Sequence, residues 1–138
     1  MDFHDDPVEE CFYQIKGDMM VKIADGGEIY DAPICEGEVF LMPPRTCHAP
    51  QCPQEGSIGI VVESPRQPGL IEGSEWYCFA CKGLVHRAEV SLEDPEGIVT
   101  AFPRIYDTFH DSIEARTCPH CGAVHPGKGK APDGWVEI

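Results

Sequence analysis

Two histidines and one glutamate have the types and spacing of a metal-binding oxidation site. His4 and Glu10 bound an acidic opening segment at residues 4–10, and His48 ends the segment at residues 43–48. Two histidines and one carboxylate can occupy one face of a divalent iron ion and leave the opposite positions open, as in non-haem Fe(II) oxygenases. We therefore predict that His4, Glu10 and His48 hold a catalytic Fe(II), with His4 and Glu10 on a loop that runs into a strand.

Each histidine taken alone would more often be an ordinary surface or core residue. The three residues are accompanied, however, by glycines and prolines, with Gly17 after Glu10 and Gly37 and Pro43 before His48. These spacings resemble the two motifs of the cupin superfamily in a slightly degenerate form. The joint pattern favours the metal site over three unrelated side chains.

Four of the eight cysteines form two Cys-x-x-Cys pairs. In a reducing compartment such pairs indicate metal binding rather than disulfides, and four thiolates suit zinc or a rubredoxin-like iron. Thioredoxin-like redox chemistry would need a βαβ context that the sequence lacks. We predict a second, structural Fe or Zn site at Cys78, Cys81, Cys118 and Cys121. The other histidines, His86, His110, His120 and His125, are then packing, capping or surface residues.

The elements that position these residues are short strands. The sequence contains seven apolar or alternating segments that are separated by Gly, Pro and Asp turns. They lie at residues 11–16, 19–24, 28–32, 38–42, 57–63, 75–80 and 83–90. Such spacing predicts an all-β antiparallel barrel or jelly-roll. Residues 98–110 form a short helix or an irregular strap interrupted by Pro103.

The chain of 138 residues is long enough for one domain with a real core. We expect residues 1–75 to carry the iron site and residues 76–126 to add the remaining strands and the cysteine segment to the same domain. Residues 127–138, rich in Gly, Lys and Pro, are expected to be a flexible tail.

The charge and hydropathy of the chain limit which partners and which cellular compartment we expect. The net charge of −14 argues against nucleic acid or an anionic membrane as a partner. No apolar run approaches membrane-spanning length, and the acidic first residues carry no apolar secretory segment. We expect a cytoplasmic protein.

Several longer motifs resemble one family in particular, the bacterial 3-hydroxyanthranilate 3,4-dioxygenases. They are His-Asp-Asp-Pro-x-Glu-Glu-x-Phe-Tyr-Gln at residues 4–14, Gly-Glu-x-Phe-Leu-x-Pro-Pro at 37–44 and His-x-Pro-Gln at 48–51. Three further motifs extend the resemblance to nearly the whole chain. They are Glu-Trp-Tyr-Cys-x-x-Cys at 75–81, Leu-Val-His-Arg at 84–87 and Cys-Pro-His-Cys-Gly-x-Val-His-Pro-Gly at 118–127.

The resemblance implies a cupin fold, Fe(II), O2 and an ortho-aminophenol substrate that is opened next to its hydroxyl to a semialdehyde. It places the iron ligands on His4, Glu10 and His48, and a structural iron on the four paired cysteines. The family counterpart of Glu63 lines the substrate site, so Glu63 is a candidate proton acceptor. Without the family, a solvated strand end would be an equally good interpretation of Glu63.

Two arginines that grip the substrate carboxylate in the family have no counterpart at their expected positions. One should lie just upstream of His4, where this sequence has Met1, Asp2 and Phe3, and the other four residues after His48, where it has Cys52. Three explanations compete: a native chain that extends upstream of Met1, a substitute such as Arg45 or Arg66, or a substrate without the carboxylate. Cys52 and Ile98 are further candidates for the substrate pocket.

A different class of function remains open, namely a non-catalytic cupin that binds a small aromatic ligand or a metal. A third candidate is another cupin enzyme, such as a thiol dioxygenase or an isomerase. Cys47 and Cys52 could sense redox state, although two packing cysteines are the simpler interpretation. Because cupins commonly pair, we expect a homodimer.

Overall fold

A computed structural model describes residues 1–91, 93 and 98–129, with the side chain of Ile98 excepted. The described part contains nine strands and two helices: β1 (Phe3–Asp5), β2 (Glu10–Lys16), β3 (Met19–Asp25), β4 (Glu28–Ile34), β5 (Val39–Met42), β6 (Cys47–Gln51), β7 (Ile58–Glu63), β8 (Ile71–Tyr77), β9 (Leu84–Ser91), α1 (Ile98–Asp111) and α2 (Ile113–Arg116). Neither of these helices is long and apolar enough to cross a membrane.

The strands form two antiparallel sheets. The larger has the order β4-β3-β6-β1-β8-β9, and the smaller has the order β5-β2-β7. The predicted turn between β3 and β4 is a tight hairpin in which Gly26 and Gly27 have φ angles of 58° and 83°. Two consecutive residues with positive φ match the twist of the flanking strands, and glycine adopts this conformation without strain. This all-β architecture is that of a small cupin.

The core lies between the sheets and is made by alternate residues of facing strands. Its buried members are Phe12 and Met42 from the smaller sheet, and Met19, Val21, Ile23 and Ile34 from the larger sheet. Because successive side chains on a strand point to opposite faces, the same alternation that buries Phe12 also sends Glu10 and Gln14 inward. The catalytic candidates therefore share a face with the apolar core.

Strands β1 and β6 are corrections to the predicted elements. β1 has three residues, and β6 contains Pro50 and lies just after the proline pair at residues 43–44, so the sequence pattern there is typical of loops. Both are held by their neighbours in the larger sheet, since β6 pairs with β3 and β1, and β1 also pairs with β8. His4 thus lies in a strand and not in the loop that we predicted.

The second half of the chain joins the same sheet. Strand β8 runs across residues 75 and 76, and β9 extends the sheet beyond it. Residues 98–111 form a helix and not a strap, and Phe109 stacks on Trp76 with ring centroids 4.2 Å apart. Pro103 cannot donate to the carbonyl of Val99, but Val99 is 84% exposed and water can replace that donor. Of the expected tail at residues 127–138, residues 130–138 lie outside the described part.

Candidate active site

Two histidines come together on neighbouring strands of the larger sheet. His4 on β1 and His48 on β6 are directly opposite each other in the antiparallel register. Directly opposite residues share a face of a sheet, and the two imidazole centroids are 4.4 Å apart. His48 is completely buried, and the ring of Phe12 packs edge-on against it at 5.8 Å.

The carboxylate comes from the facing sheet. Glu10 begins β2, is 3% exposed, and places Oε1 3.1 Å from Nε2 of His48. One ligand atom from each of His4, Glu10 and His48 lies within 4.8 Å of the others. The association of the two sheets therefore assembles the predicted triad, although the residues are up to 44 positions apart in sequence.

The orientation of His48 fits a metal ligand. Its Nδ1 lies 2.8 Å from the carbonyl oxygen of Thr46, so Nδ1 is the donor there, and in the neutral ring Nε2 keeps its lone pair. Nε2 is buried and has no hydrogen-bond partner in the described part of the chain. A backbone acceptor that fixes the tautomer is the usual second contact of a metal-binding histidine. Two imidazoles and one carboxylate suit iron, so the residues present fit the implied group.

The environment also keeps His4 in the form that binds metal. Burial is the largest of the effects that lower the pKa of His4 to about 4. His4 is therefore neutral near pH 7, and a neutral imidazole is the ligand that a divalent metal requires.

Glu63 lies beside the triad, as the resemblance implies. It ends β7 directly opposite Glu10 in the smaller sheet. The exposed fraction of its side chain is 28%, so it is partly open to solvent. One of its oxygens, Oε2, accepts a hydrogen bond of 2.5 Å from Nη1 of Arg66.

Both arginines that we considered as substitutes for the substrate clamp have partners within the protein. Arg66 binds Glu63 and two further carboxylates. Arg45 is half-exposed and donates from Nη1 to the carbonyl oxygen of Ile71 at 2.6 Å.

The other candidate residues of the pocket are Cys52 and Ile98, and only the first has a described side chain. Cys52 is half-buried and packs against the core cluster between the sheets. Ile98 is the first residue of α1, and its side chain lies outside the described part. Cys47 is buried, with Sγ 3.2 Å from Oε2 of Glu75.

Two residues near the triad were missed by sequence reasoning, Asp6 and Glu72, and Arg66 was considered only as a substitute for the substrate clamp. Asp6 and Glu72 are each 3% exposed. Burial, followed by the neighbouring Asp6, raises the pKa of Glu72 to about 7. The position of Asp6 two residues after His4 was a usable signal, whereas nothing in the local sequence connects Glu72 with the site.

The four paired cysteines also come together. Sγ of Cys78 lies 3.6 Å from Sγ of Cys121, and the same distance separates Cys81 from Cys118. All four sulfur atoms lie within 4.8 Å of one another. Such a closed set of four sulfur ligands is typical of a structural zinc or iron site.

Two similar turns build this cluster. After Cys78, the backbone N–H of Lys82 returns to the carbonyl of Cys78 at 2.8 Å, and after Cys118 that of Gly122 returns to Cys118 at 2.9 Å. Lys82 and Gly122 both have positive φ, 60° and 76°. Each turn thus aims two thiols at one point.

The other histidines have aromatic or ionic contacts of their own. His86 and His125 stack on Phe109 and Phe79, with centroid distances of 5.6 Å and 4.7 Å, and Nε2 of His110 lies 3.1 Å from Asp2. His120 packs against the backbone of Gly83. These contacts agree with packing roles.

Comparison with known proteins gives consistent matches. The family model described as 3-hydroxyanthranilic acid dioxygenase matches residues 1–110. Proteins named 3-hydroxyanthranilate 3,4-dioxygenase are similar over 99% of this chain in Ruegeria pomeroyi (56% identity, 74% of the relative's length), Shewanella woodyi (53%, 70%) and Xanthomonas campestris pv. campestris (42%, 73%). The fold, the gathered histidines and glutamate, and these matches agree: the chain belongs to the 3-hydroxyanthranilic acid dioxygenase family.

Proposed function

We propose that this protein is an Fe(II)-dependent extradiol-type dioxygenase that inserts both atoms of O2 into 3-hydroxyanthranilate and releases a ring-opened semialdehyde. The observation that carries the proposal is the convergence of His4, Glu10 and His48 within 4.8 Å, with Glu10 and His48 buried. The names of the relatives support the substrate, and the donor set supports iron.

The bound iron would supply one centre at which the substrate's hydroxyl and amine and O2 meet side by side. The protein's own residues prepare that meeting. His48 is held by Thr46, so its Nε2 faces the site without rotation. Burial of His48 and Glu10 excludes water from the ligand side, which strengthens electrostatic contacts there.

Glu63 is the proton acceptor of this proposal. Its Oε2 is bonded to Arg66, so we assign acceptance of the proton from the ring hydroxyl or amine to Oε1. A carboxylate held on one oxygen keeps the other at a fixed position, which is what general-base catalysis requires.

The next question of substrate specificity is which residue binds the substrate carboxylate. Cys52 stands where the family has an arginine, and an arginine would grip a carboxylate with two parallel charge-assisted bonds. The relatives' shared name favours 3-hydroxyanthranilate over an aminophenol without a carboxylate. Cys52 and Ile98 are proposed to line the pocket at that end.

The test is O2 uptake by protein loaded anaerobically with Fe(II), with 3-hydroxyanthranilate and with 2-aminophenol as separate substrates. We expect uptake with 3-hydroxyanthranilate in a one-to-one ratio to product. Uptake with 2-aminophenol alone would mean that Cys52 marks a changed substrate. A metal-loaded protein that binds both compounds and consumes no O2 would instead be the binding cupin.

At the cysteine cluster we propose a second iron or a zinc ion that stabilises the fold and takes no part in ring cleavage. We also propose a cytoplasmic location, since paired free cysteines that serve as metal ligands fit a reducing compartment.

We also propose a homodimer, and the smaller sheet supplies a face for it. The outer face of this sheet consists of the side chains that alternate with buried Glu10, Phe12 and Gln14 and their cross-strand partners: Cys11, Tyr13, Ile15, Val39, Leu41, Ile58, Ile60 and Val62. Apart from half-buried Cys11, these side chains are 42–64% exposed.

The size of this outer face favours a second copy of the chain as its occupant. Seven such side chains expose roughly 600 Å² of apolar surface, close to the about 800 Å² that each partner contributes to a standard interface. Apart from Lys16, the cross-strand partner of Ile58, the face carries no charged side chain, whereas the whole chain has a net charge of −14. Depletion of charge is typical of interface centres.

A further inference from the structure

Arg66 has contacts that its position in a loop after β7 does not foretell. Each nitrogen of its guanidinium binds a different carboxylate. Nη1 lies 2.5 Å from Glu63, Nη2 lies 2.6 Å from Asp6, and Nε lies 2.9 Å from Glu72. These bonds join the loop between β1 and β2, the end of β7 and the start of β8.

Two of these carboxylates could themselves bind a metal. Oxygen atoms of Asp6, Glu10 and Glu63 lie within 4.8 Å of one another and form a second possible ligand set. This set shares Glu10 with the triad of His4, Glu10 and His48. Asp6 also lies close to the histidines, with Oδ2 3.7 Å from Nε2 of His4.

The two ligand sets therefore compete for the same ion. Carboxylates bind divalent cations readily, and a metal held by His4, Glu10 and His48 has positions left for further ligands. If Asp6 and Glu63 filled those positions, the substrate and O2 could not. Another residue of the site must therefore keep Asp6 and Glu63 away from the metal.

Charge explains why Arg66 is that feature. Asp6 is 3% exposed, and a buried carboxylate without a cationic partner is strongly unfavourable. Without the guanidinium, the metal would be the nearest strong positive charge for Asp6 and Glu63. With it, both carboxylates already have short charge-assisted bonds.

We propose that Arg66 is a positioning residue that keeps Asp6 and Glu63 out of the coordination sphere of the metal and so keeps its open positions free for substrate and O2. This inference rests on the proposed metal site at His4, Glu10 and His48. It goes beyond that site by giving a function to Arg66, whose ion pairs in the described part of the chain are with Asp6, Glu63 and Glu72 and with none of the three ligands.

The test uses Co(II) in place of iron, because the visible bands of Co(II) weaken as its coordination number rises. Wild type, Arg66→Gln and Arg66→Lys are first loaded with Zn(II) at the four cysteines, so that Co(II) added anaerobically reports only on the triad, and 3-hydroxyanthranilate is then titrated. For Arg66→Gln we expect bound Co(II) with weaker bands and a substrate Kd about tenfold higher, the size of effect typical of residues that support metal ligands. Arg66→Lys keeps the positive charge but not the three-way hydrogen bonding, so its band intensity and substrate Kd should lie between those of wild type and Arg66→Gln.

Arg87→Gln is the matched control. Arg87 is also bound by three carboxylates, Asp5, Glu75 and Glu89. Asp5 follows His4 on β1 and therefore points to the opposite face of the sheet. This variant loses the same charge and the same number of ion pairs, and its Co(II) spectrum should match that of wild type.

A second substitution separates the effect of the competing ligands from any misfolding of Arg66→Gln. Adding Asp6→Asn removes one competing ligand, so Arg66→Gln with Asp6→Asn should regain most of the band intensity and the substrate affinity. Asp6→Asn alone should leave the spectrum as in wild type.

Three results would overturn the inference. The first is an Arg66→Gln protein with wild-type bands and wild-type substrate affinity, which leaves the proposed function intact. The second is loss of Co(II) from Arg66→Gln but not from Arg87→Gln, which would make Arg66 a support of the ligands. The third is a wild-type protein without metal at the triad, in which case the proposed function fails as well.

Discussion

At the scale of single residues, chemistry depends on which atoms are left free once the others are bonded. Thr46 occupies Nδ1 of His48, and Arg66 occupies Oε2 of Glu63, so Nε2 and Oε1 remain for the metal and for the proton. The site is therefore oriented by contacts outside the ligand set.

Glu63→Gln tests the proton acceptor. The amide keeps an oxygen for Arg66 but cannot take a proton, so kcat should fall by about 10²-fold or more while bound iron stays constant. The measurement is steady-state O2 uptake together with metal content. Glu28→Gln, an exposed change at the start of β4, is the control and should retain wild-type kcat. A Glu63→Gln protein with wild-type kcat would remove Glu63 from the reaction.

Cysteine reactivity tests the alternative of redox sensing. Burial, followed by the charge of Glu75, raises the pKa of Cys47, whereas Cys35 is exposed. In metal-loaded protein at pH 8, a maleimide should modify Cys35 more than about tenfold faster than Cys47, because only an accessible thiolate reacts. Peptide mass spectrometry over time gives both rates. Equal rates would restore Cys47 as a candidate sensor.

The sequence predicted His4, Glu10 and His48 because their residue types already describe a ligand set. It suggested Arg66 only as a substitute clamp and did not predict its ion pairs with Asp6 and Glu72, 60 and 6 positions away in sequence. Ion pairs between distant positions follow from strand pairing, and local patterns do not contain that information.

At the scale of elements, alternation and turn residues predicted most strands, including the hairpin at Gly26 and Gly27. The failures, β1 and β6, are strands whose stability comes from neighbours on both sides and not from their own residues. Both carry histidines of the candidate site. The helix at residues 98–111 was left undecided because Pro103 interrupts an otherwise helical pattern.

The cysteine cluster should stabilise the second half of the chain by joining two turns about 40 residues apart in sequence. Cys118→Ser should therefore lower the Tm by more than about 5 °C, a shift typical of losing one or two kcal/mol in a domain of this size. Calorimetry of metal-loaded protein gives the Tm, and metal analysis should show the triad still filled. Cys35→Ser, outside the cluster, is the control. An unchanged Tm in Cys118→Ser would exclude the stabilising role.

At the scale of the whole molecule, the site exists only because two sheets close on each other. Glu10 belongs to the smaller sheet and the histidines to the larger one. The core side chains between the sheets therefore set the distance between ligands. The inner face of the smaller sheet is explained by this packing, and its outer face is explained by the proposed dimer.

Ile60→Arg tests the dimer. An arginine in the middle of β7 on the outer face must be desolvated on association, so this variant should be monomeric at concentrations where wild type is dimeric. Sedimentation velocity over a dilution series measures both. Raising the salt concentration should strengthen the wild-type dimer, because each copy has a net charge of −14.

Ile113→Arg is the control for this experiment, since Ile113 is 66% exposed on α2, away from the smaller sheet. It should dimerise as wild type does. A wild-type protein that stays monomeric throughout the series, or an Ile60→Arg protein that still dimerises, would assign the outer face to another occupant.

The central claim is that His4, Glu10 and His48 together hold the catalytic iron. Anomalous diffraction at the iron edge, from crystals reconstituted anaerobically with Fe(II), tests it most directly. The prediction is a peak between the two imidazoles and the Glu10 carboxylate, with Arg66 still bound to Asp6 and Glu63. Iron confined to the four cysteines, or a peak ligated by Asp6 and Glu63 in place of the histidines, would contradict the claim.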